Sequence, residues 1–209
     1  SVIMEYLKDE DSRPFRHELN VCREIRNLLS HNADDEGAPL VEPSEAVLES
    51  LQAILEHVTS PKRAVDFGTP RDQILWAHPG DFAIEIMHRM TNRGFSHVPV
   101  MEKGRLIGVF SVGSLFSCLE RRGLSALDDS TRISQIKDAL NVERHGAERY
   151  CFMPADATIH QVRAAFENRG ERNSRLSAVF LTEDGTPEGI LLAMLTPWDL
   201  LKDSSNLES

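Results

Sequence analysis

Cysteine and aromatic residues are scarce in this chain. Its 209 residues include three cysteines, and aromatic residues make up 6% of the total. Because Cys22, Cys118 and Cys151 are odd in number and far apart, they exclude a disulfide framework and a Cys-x-x-Cys metal pair. A reducing compartment fits this cysteine usage, so we expect a cytoplasmic protein. The core must be built mainly from aliphatic side chains, within a hydrophobic fraction of 41%.

Long apolar runs and an excess of basic residues are also missing. No run approaches the ~20 apolar residues that cross a bilayer, and no signal peptide is visible at the amino end, so we predict no membrane partner. Aspartate and glutamate number 33 against 23 lysines and arginines, which gives a formal net charge of -10. An acidic chain repels phosphate backbones at long range, and this disfavours RNA as the main partner.

The common sequence signatures of catalysis and metal binding are absent as well. The chain has no Gly-rich phosphate loop, no Gly-x-Ser-x-Gly elbow and no His-Glu-x-x-His helix. Its eight histidines show no ligand spacing, so we predict no metal site and no catalytic cofactor. These absences favour a binding protein over an enzyme.

The chain does contain an internal repeat. Residues 74–94 and 150–170 align without a gap, and both stretches end in Asn-Arg-Gly. Each stretch reads as a short apolar strand, a turn with proline and a helix. The final glycines, Gly94 and Gly170, suit the left-handed conformation that closes a helix.

Polar residues mark the starts of the two repeated helices. Thr158 and Gln161 have the spacing of a capping box at the second helix, and Asp81 can cap the first. These signals place both helices after the proline-containing turns.

Each repeat continues with two strands and a further helix. Lys103-Gly104 and Asp184-Gly185 predict the hairpin turns between these strands. A unit of roughly 55–60 residues is too small to bury its faces alone, so we expect the two units to pack sheet to sheet in an α+β fold. Residues 120–142 are predicted to connect them, with a short helix at 133–140.

This pattern resembles the cystathionine-beta-synthase (CBS) family, whose domains occur as tandem pairs called Bateman modules. The resemblance covers about residues 64–203 and is carried by 96–100 and 106–111 in the first copy and by 195–200 in the second. The second copy lacks the His-Val-Pro-Val element of the first. The resemblance implies a tandem CBS pair that senses an adenosine-containing small molecule, such as AMP, ADP, ATP or S-adenosylmethionine.

The resemblance also implies a ligand site at the Thr-x-x-Asp motif of the second copy. Thr196 and Asp199 match the residues that hold ribose and phosphate in this family. A carboxylate accepts hydrogen bonds from both ribose hydroxyls, and N–H groups at a helix start can meet a phosphate. The alternative is a capping box, with Thr196 as N-cap, Pro197 at the first helical position and Asp199 at the third. Both roles can hold at once.

The first copy differs at the equivalent positions, which are Ser111 and Ser114. Because the carboxylate is missing there, we expect one competent site, in the second repeat, and one altered site. His97 and Arg175 are candidate phosphate contacts. The alternatives are a partly buried histidine at a strand end and a solvated arginine.

Residues 1–62 have a different pattern, with apolar residues spaced at three and four. This spacing predicts an amphipathic helix over 13–32 and a second helix that Ser44 caps and Pro61 ends. Two such antiparallel helices leave an apolar face uncovered and need a partner surface. We therefore expect a homodimer, which the resemblance also implies.

The first of these helices contains the sequence RNLLSH at Arg26–His31. It resembles the motif of the HEPN family of helical domains, many of which are metal-independent ribonucleases that act as dimers. On this resemblance Arg26 would steady a phosphate, Asn27 would orient the group and His31 would serve in acid–base chemistry. The alternatives are a segment that serves only in dimerisation and ordinary surface residues at a helix end.

The sequence therefore predicts a helical segment at 1–62, CBS repeat 1 at 63–119, a connector at 120–142 and CBS repeat 2 at 143–209. The leading interpretation is a regulatory CBS pair that binds an adenine nucleotide and controls the attached helices or a partner. The alternatives are a HEPN-like ribonuclease gated by the pair and a structural dimer with empty CBS pockets.

Overall fold

The computed structural model describes residues 2–8, 10–31, 42–123, 127–140, 148–168 and 174–204. They belong to two compact units, Ser1–Lys62 and Arg63–Ser209. The first unit is helical, and the second combines helices with two sheets.

The regular elements are numbered in chain order. The helices are α1 (Val2–Tyr6), α2 (Arg16–His31), α3 (Glu45–Thr59), α4 (Ala83–Arg93), α5 (Val112–Arg122), α6 (Ile159–Glu167) and α7 (Pro197–Ser204). The strands are β1 (Thr69–Pro70), β2 (His97–Glu102), β3 (Arg105–Ser111), β4 (Glu148–Pro154), β5 (Arg175–Thr182) and β6 (Leu191–Leu195). Short 3-10 helices lie at Glu10–Phe15, Ala64–Asp66 and Ile133–Ala139.

In the first unit, the two predicted helices are present as α2 and α3. They contact each other, Leu19 and Ile54 are buried, and the ring of Phe15 lies 4.8 Å from that of His57. Ser44 occupies the N-cap position of α3, but its side chain makes no capping hydrogen bond, and its carbonyl alone accepts from the first turn.

One face of α3 remains uncovered. Four apolar side chains on this face are at least 41% exposed: Leu48, Leu51, Leu55 and Val58. Their spacing of three and four residues places them on one side of the helix. The prediction that the helical pair leaves apolar surface exposed is therefore confirmed.

The second unit has the predicted α+β fold, in which the two repeats share a core. A four-stranded sheet has the order β1-β6-β5-β4, with β4 parallel to β5 and the other neighbours antiparallel. β2 and β3 form a separate antiparallel hairpin. Buried residues from both sheets pack together, among them Val109 of β3 and Phe180 of β5.

The first strand expected in repeat 1 is reduced to a single parallel bridge between Ala77 and Val100. Ile74 and Leu75, just before it, are buried without forming a regular strand. The chain upstream instead adds β1 to the sheet of repeat 2, where it pairs with β6. The repeats are thus joined at the sheet level and do not fold as two closed copies.

Local turn and cap signals are mostly confirmed. Lys103 and Gly104 both have positive φ, of 51° and 82°, as the hairpin between β2 and β3 requires. Gly94 closes α4 in the left-handed conformation, with φ of 69°. Thr158 and Gln161 form the expected capping box at α6. Gly170 lies outside the described residues.

The prediction that Asp81 caps α4 is wrong. The N-cap residue is Phe82, and the Asp81 carboxylate instead accepts a 2.8 Å hydrogen bond from the backbone N–H of His78. The backbone N–H of Asp81 donates in turn to the carbonyl of His78. The side chain therefore closes the proline- and glycine-containing turn before the helix.

Candidate functional site

Thr196 and Asp199 lie where β6 passes into α7. One oxygen of the Asp199 carboxylate, Oδ2, accepts from the backbone N–H of Thr196 at 2.8 Å and from its hydroxyl at 2.9 Å. Asp199 is 6% exposed. The third helical residue thus reaches back to the N-cap backbone, so the capping interpretation of Asp199 is confirmed.

The two hydrogen bonds from Thr196 go to a single oxygen of the carboxylate, Oδ2. A carboxylate has about four lone-pair directions on two oxygens, and two of them are directed to Thr196. Asp199 lies in the first turn of α7, next in sequence to Trp198, whose side chain is exposed. A role in ligand binding is compatible with the cap and stays a prediction.

Ser111 and Ser114 occupy the corresponding turn between β3 and α5. They form a complete capping box, in which the Ser114 N–H donates to the Ser111 hydroxyl at 3.0 Å and the Ser111 N–H donates to the Ser114 hydroxyl at 2.8 Å. Both residues are at most 1% exposed. This turn is therefore closed by its own side chains.

A carboxylate from the other repeat lies against this turn. Glu148, the first residue of β4, accepts from the Ser111 hydroxyl at 2.5 Å and from the Tyr150 hydroxyl at 2.9 Å, both at Oε2. Its other oxygen lies 3.5 Å from Nε2 of His97. We call His97, Ser111, Ser114, Glu148 and Tyr150 the Glu148 cluster.

The surroundings of Glu148 favour its charged form. Burial alone would raise its pKa, but the nearby imidazole of His97 and the hydrogen bonds from Ser111 and Tyr150 outweigh burial and lower the pKa to about 2. Burial and the neighbouring negative charge raise the pKa of the Tyr150 phenol far above its usual value. Tyr150 therefore stays protonated and donates to a carboxylate that is ionised at neutral pH.

The carboxylate of Glu148 also touches the first turn of α5. A β-carbon added at Gly113 would lie 2.6 Å from its carboxyl carbon and 2.7 Å from each oxygen. Only glycine leaves room for this approach. A negative charge at this end of a helix is stabilised by the helix dipole.

The predicted site residues therefore fall into separate groups. His97, Ser111 and Ser114 are brought together, whereas Thr196 and Asp199 form their own pair. Arg175 is exposed at the start of β5, where it is the register partner of Glu148. No described contact links Arg175 to Thr196, and its role as a phosphate contact stays a prediction.

The residues of the HEPN-like motif lie at the end of α2. The Arg26 guanidinium donates to the side-chain oxygen of Asn27 at 2.9 Å, and both residues are exposed. His31 is the last residue of α2, and its side chain lies outside the described residues. The ribonuclease interpretation stays a prediction.

Glu148, Tyr150 and Gly113 are the members of the site region that the sequence analysis missed. Glu148 lies two residues before the aligned block, and its partner Ser111 is 37 residues away. The sequence offers one signal for Glu148. It is an acidic residue at the start of an apolar strand, in a chain whose first repeat lacks the carboxylate at Ser114.

Two further features concern the described part of the chain. There, no three or more His, Cys, Asp or Glu side chains are grouped so as to hold a metal ion. None of the helices described is both long enough and apolar enough for a bilayer crossing.

Solved structures of other proteins have a fold similar to that of this chain. The chain is similar to the AcuB protein of Vibrio cholerae, with a TM-score of 0.50 at 13% identity over 70% of this chain and 92% of that one. It is similar to CbpB, solved in complex with c-di-AMP, with a TM-score of 0.53 at 16% identity over 75% and 95% of the two chains. At such identities the likeness concerns the fold alone.

Comparison at the level of sequence gives one match, to part of the chain. No characterised protein matches the chain closely enough in sequence to count as a relative. Residues 64–121 match the family model of the CBS domain. Residues 64–121 are thus similar to the CBS domain, and the fold is one shared with AcuB and CbpB.

Proposed function

We propose that this protein is a regulatory sensor whose CBS pair binds an adenine nucleotide through Thr196 and Asp199 and controls the attached helices or a partner. The candidate ligands are AMP, ADP, ATP and S-adenosylmethionine. The observation that carries the proposal is the buried Asp199 carboxylate, held in place by two hydrogen bonds at the start of α7. The fold supports it, because CbpB holds an adenine dinucleotide on the same fold.

The two hydrogen bonds from Thr196 prepare the carboxylate for a ligand. They fix its orientation before binding, so that little side-chain freedom is lost when a ribose diol donates to it. The phosphate would lie toward the first turn of α7, where backbone N–H groups and the helix dipole favour an anion. Regulation then requires that the ligand bind two states of the protein with different affinities.

The sensor acts, in this proposal, as a homodimer in a reducing, cytoplasmic setting. The two helices that end the repeats expose large apolar side chains: Val112, Phe116, Trp198 and Leu201, each at least 60% exposed. Phe116 and Leu201 are equivalent, because each lies five residues after the N-cap residue of its helix, Ser111 or Thr196. Matching apolar surfaces on two related elements suit the self-complementary interface of a two-fold dimer.

Light scattering on Phe116→Asp and Leu201→Asp tests the dimer. We expect the wild-type chain to have the mass of two copies and both variants to shift toward one. Leu48→Asp, on the exposed face of α3, is the matched control for the other uncovered apolar surface. A dimer that only Leu48→Asp disrupts would place the interface on the helical segment.

Calorimetric titration of the four candidate ligands tests the binding site. Asp199→Asn keeps an oxygen that can accept from Thr196, so the cap is retained while the charge-assisted bonds to the ribose are weakened. We expect at least a tenfold loss of affinity in Asp199→Asn with little change in melting temperature. Asp199→Ala should lose both binding and part of the cap. Affinity that is unchanged in both variants would refute the assignment.

A further inference from the structure

We propose that the site of repeat 1 is filled by the chain's own Glu148 carboxylate, an internal anion that excludes phosphate-bearing ligands and leaves one nucleotide site per chain, in repeat 2. The location of that remaining site rests on the proposed function. The filling of the first site rests on the Glu148 cluster alone.

The Glu148 cluster has the donors of an anion site, and the carboxylate takes them. Ser111 and Tyr150 both donate hydroxyl hydrogen bonds to the same oxygen, at 2.5 and 2.9 Å. Nε2 of His97 faces the other oxygen at 3.5 Å. A phosphate entering from solvent would find both hydroxyl donors engaged.

The carboxylate also fills the space at the start of α5. Its atoms lie where a β-carbon of Gly113 would be, at 2.6 to 2.7 Å, so no room remains for a second group against this turn. Glu148 is anchored there by its strand, since β4 is paired with β5 along its length. The side chain is 18% exposed and that of His97 is 14% exposed, so the contact is largely shielded from water.

The negative charge of the Glu148 carboxylate also opposes the binding of a phosphate. The pKa of Glu148 is lowered to about 2, so the carboxylate is ionised at any physiological pH. A phosphate brought within a few ångströms of it would meet a like charge in a partly buried environment, where repulsion is weakly screened. Volume and charge thus exclude the same class of ligand.

Repeat 2 has no matching arrangement in its sequence. Extending the gap-free alignment by two residues makes Asp72 the counterpart of Glu148, and Asp72 is exposed in a turn. His97 pairs with Ser111 across the hairpin, and the corresponding neighbour of Thr196 is Ala178, next to the pair formed by Val179 and Leu195. Where repeat 1 has His97, repeat 2 has the small apolar residue Ala178. Where repeat 1 has Glu148, repeat 2 has Asp72, which is exposed to solvent.

The test is the number of AMP molecules bound per chain, measured by equilibrium dialysis on the full chain. We expect one for the wild type, two for Glu148→Ala and one for Glu148→Gln, because glutamine still fills the space. Asp72→Ala is the matched control and should stay at one. Glu148→Ser, which leaves a hydroxyl near Tyr150, replaces the alanine variant if that variant does not fold.

The double variant Glu148→Ala with Asp199→Ala separates this inference from the proposed function. One AMP bound to the double variant and two to Glu148→Ala support both. One bound to Glu148→Ala and none to the wild type refute the site at Asp199 while supporting the filled site. Two bound to the wild type, or no gain in a folded Glu148→Ala or Glu148→Ser, overturn the inference.

Discussion

Replacing Glu148 with glutamine removes the charge of the buried carboxylate while keeping its size. In the folded chain the pKa of this group is about 2, against an ordinary value of 4.5. One pKa unit corresponds to about 1.4 kcal/mol, so the lowering represents roughly 3 kcal/mol of stabilisation when Glu148 is ionised. Because the side chain is 18% exposed, solvent screening reduces this figure, and we expect a loss of about 1.5–3 kcal/mol at pH 7.

The pH dependence distinguishes this charge effect from simple packing. Because the folded pKa lies below the unfolded one, the stabilisation is fully present above about pH 4.5 and is lost as the pH falls toward 2. The difference in unfolding free energy between wild type and Glu148→Gln should therefore persist down to about pH 5 and shrink below that. The groups facing the carboxylate are His97 and Tyr150, and Tyr150 stays neutral throughout this range.

Denaturant unfolding at a series of pH values measures this difference. Glu188→Gln is the control, because Glu188 is an exposed loop carboxylate, and it should change the unfolding free energy by less than about 0.5 kcal/mol. A loss in Glu148→Gln that is equally large at pH 7 and pH 3 would refute the charge argument. A loss no greater than that of the control would refute the structural role of the cluster.

The remaining predictions concern the turns and the helical segment. Gly113→Ala places a methyl group against the Glu148 carboxylate and should destabilise the chain by about 1–3 kcal/mol, whereas Gly80→Ala, where the added carbon meets nothing within 4 Å, should have little effect in the same melts. Thr158→Ala should cost about 1 kcal/mol because it removes a capping bond, and Ser44→Ala, which removes none, should be close to neutral; equal losses would contradict the cap assignment. Incubation with RNA should give no cleavage by the wild type or His31→Ala, and cleavage by the wild type alone would revive the ribonuclease alternative.

The parts of the fold that the sequence predicted are those set by neighbouring residues. The capping box of Thr158 and Gln161, the hairpin at Lys103-Gly104 and the helix end at Gly94 each depend on a few adjacent positions. Asp81 failed as a cap because a second local partner, the N–H of His78, competed for its side chain. Sequence spacing alone does not decide between two such nearby partners.

The parts that could not be predicted depend on long-range packing. The apolar residues at 74–77 predict a first strand in repeat 1, yet among them only Ala77 bridges to a neighbour, and β1 upstream joins the other sheet. Ser114 predicts the asymmetry of the repeats but not its consequence. The missing carboxylate is supplied by Glu148, and a contact across 37 residues leaves no periodic trace in the sequence.

A crystal structure of the full chain grown with AMP would test the central claim most directly. The account predicts AMP beside Thr196 and Asp199, with the ribose on the Asp199 carboxylate, and Glu148 still bonded to Ser111 and Tyr150 in repeat 1. Nucleotide bound beside Ser111 with Glu148 displaced, and nothing beside Asp199, would contradict it.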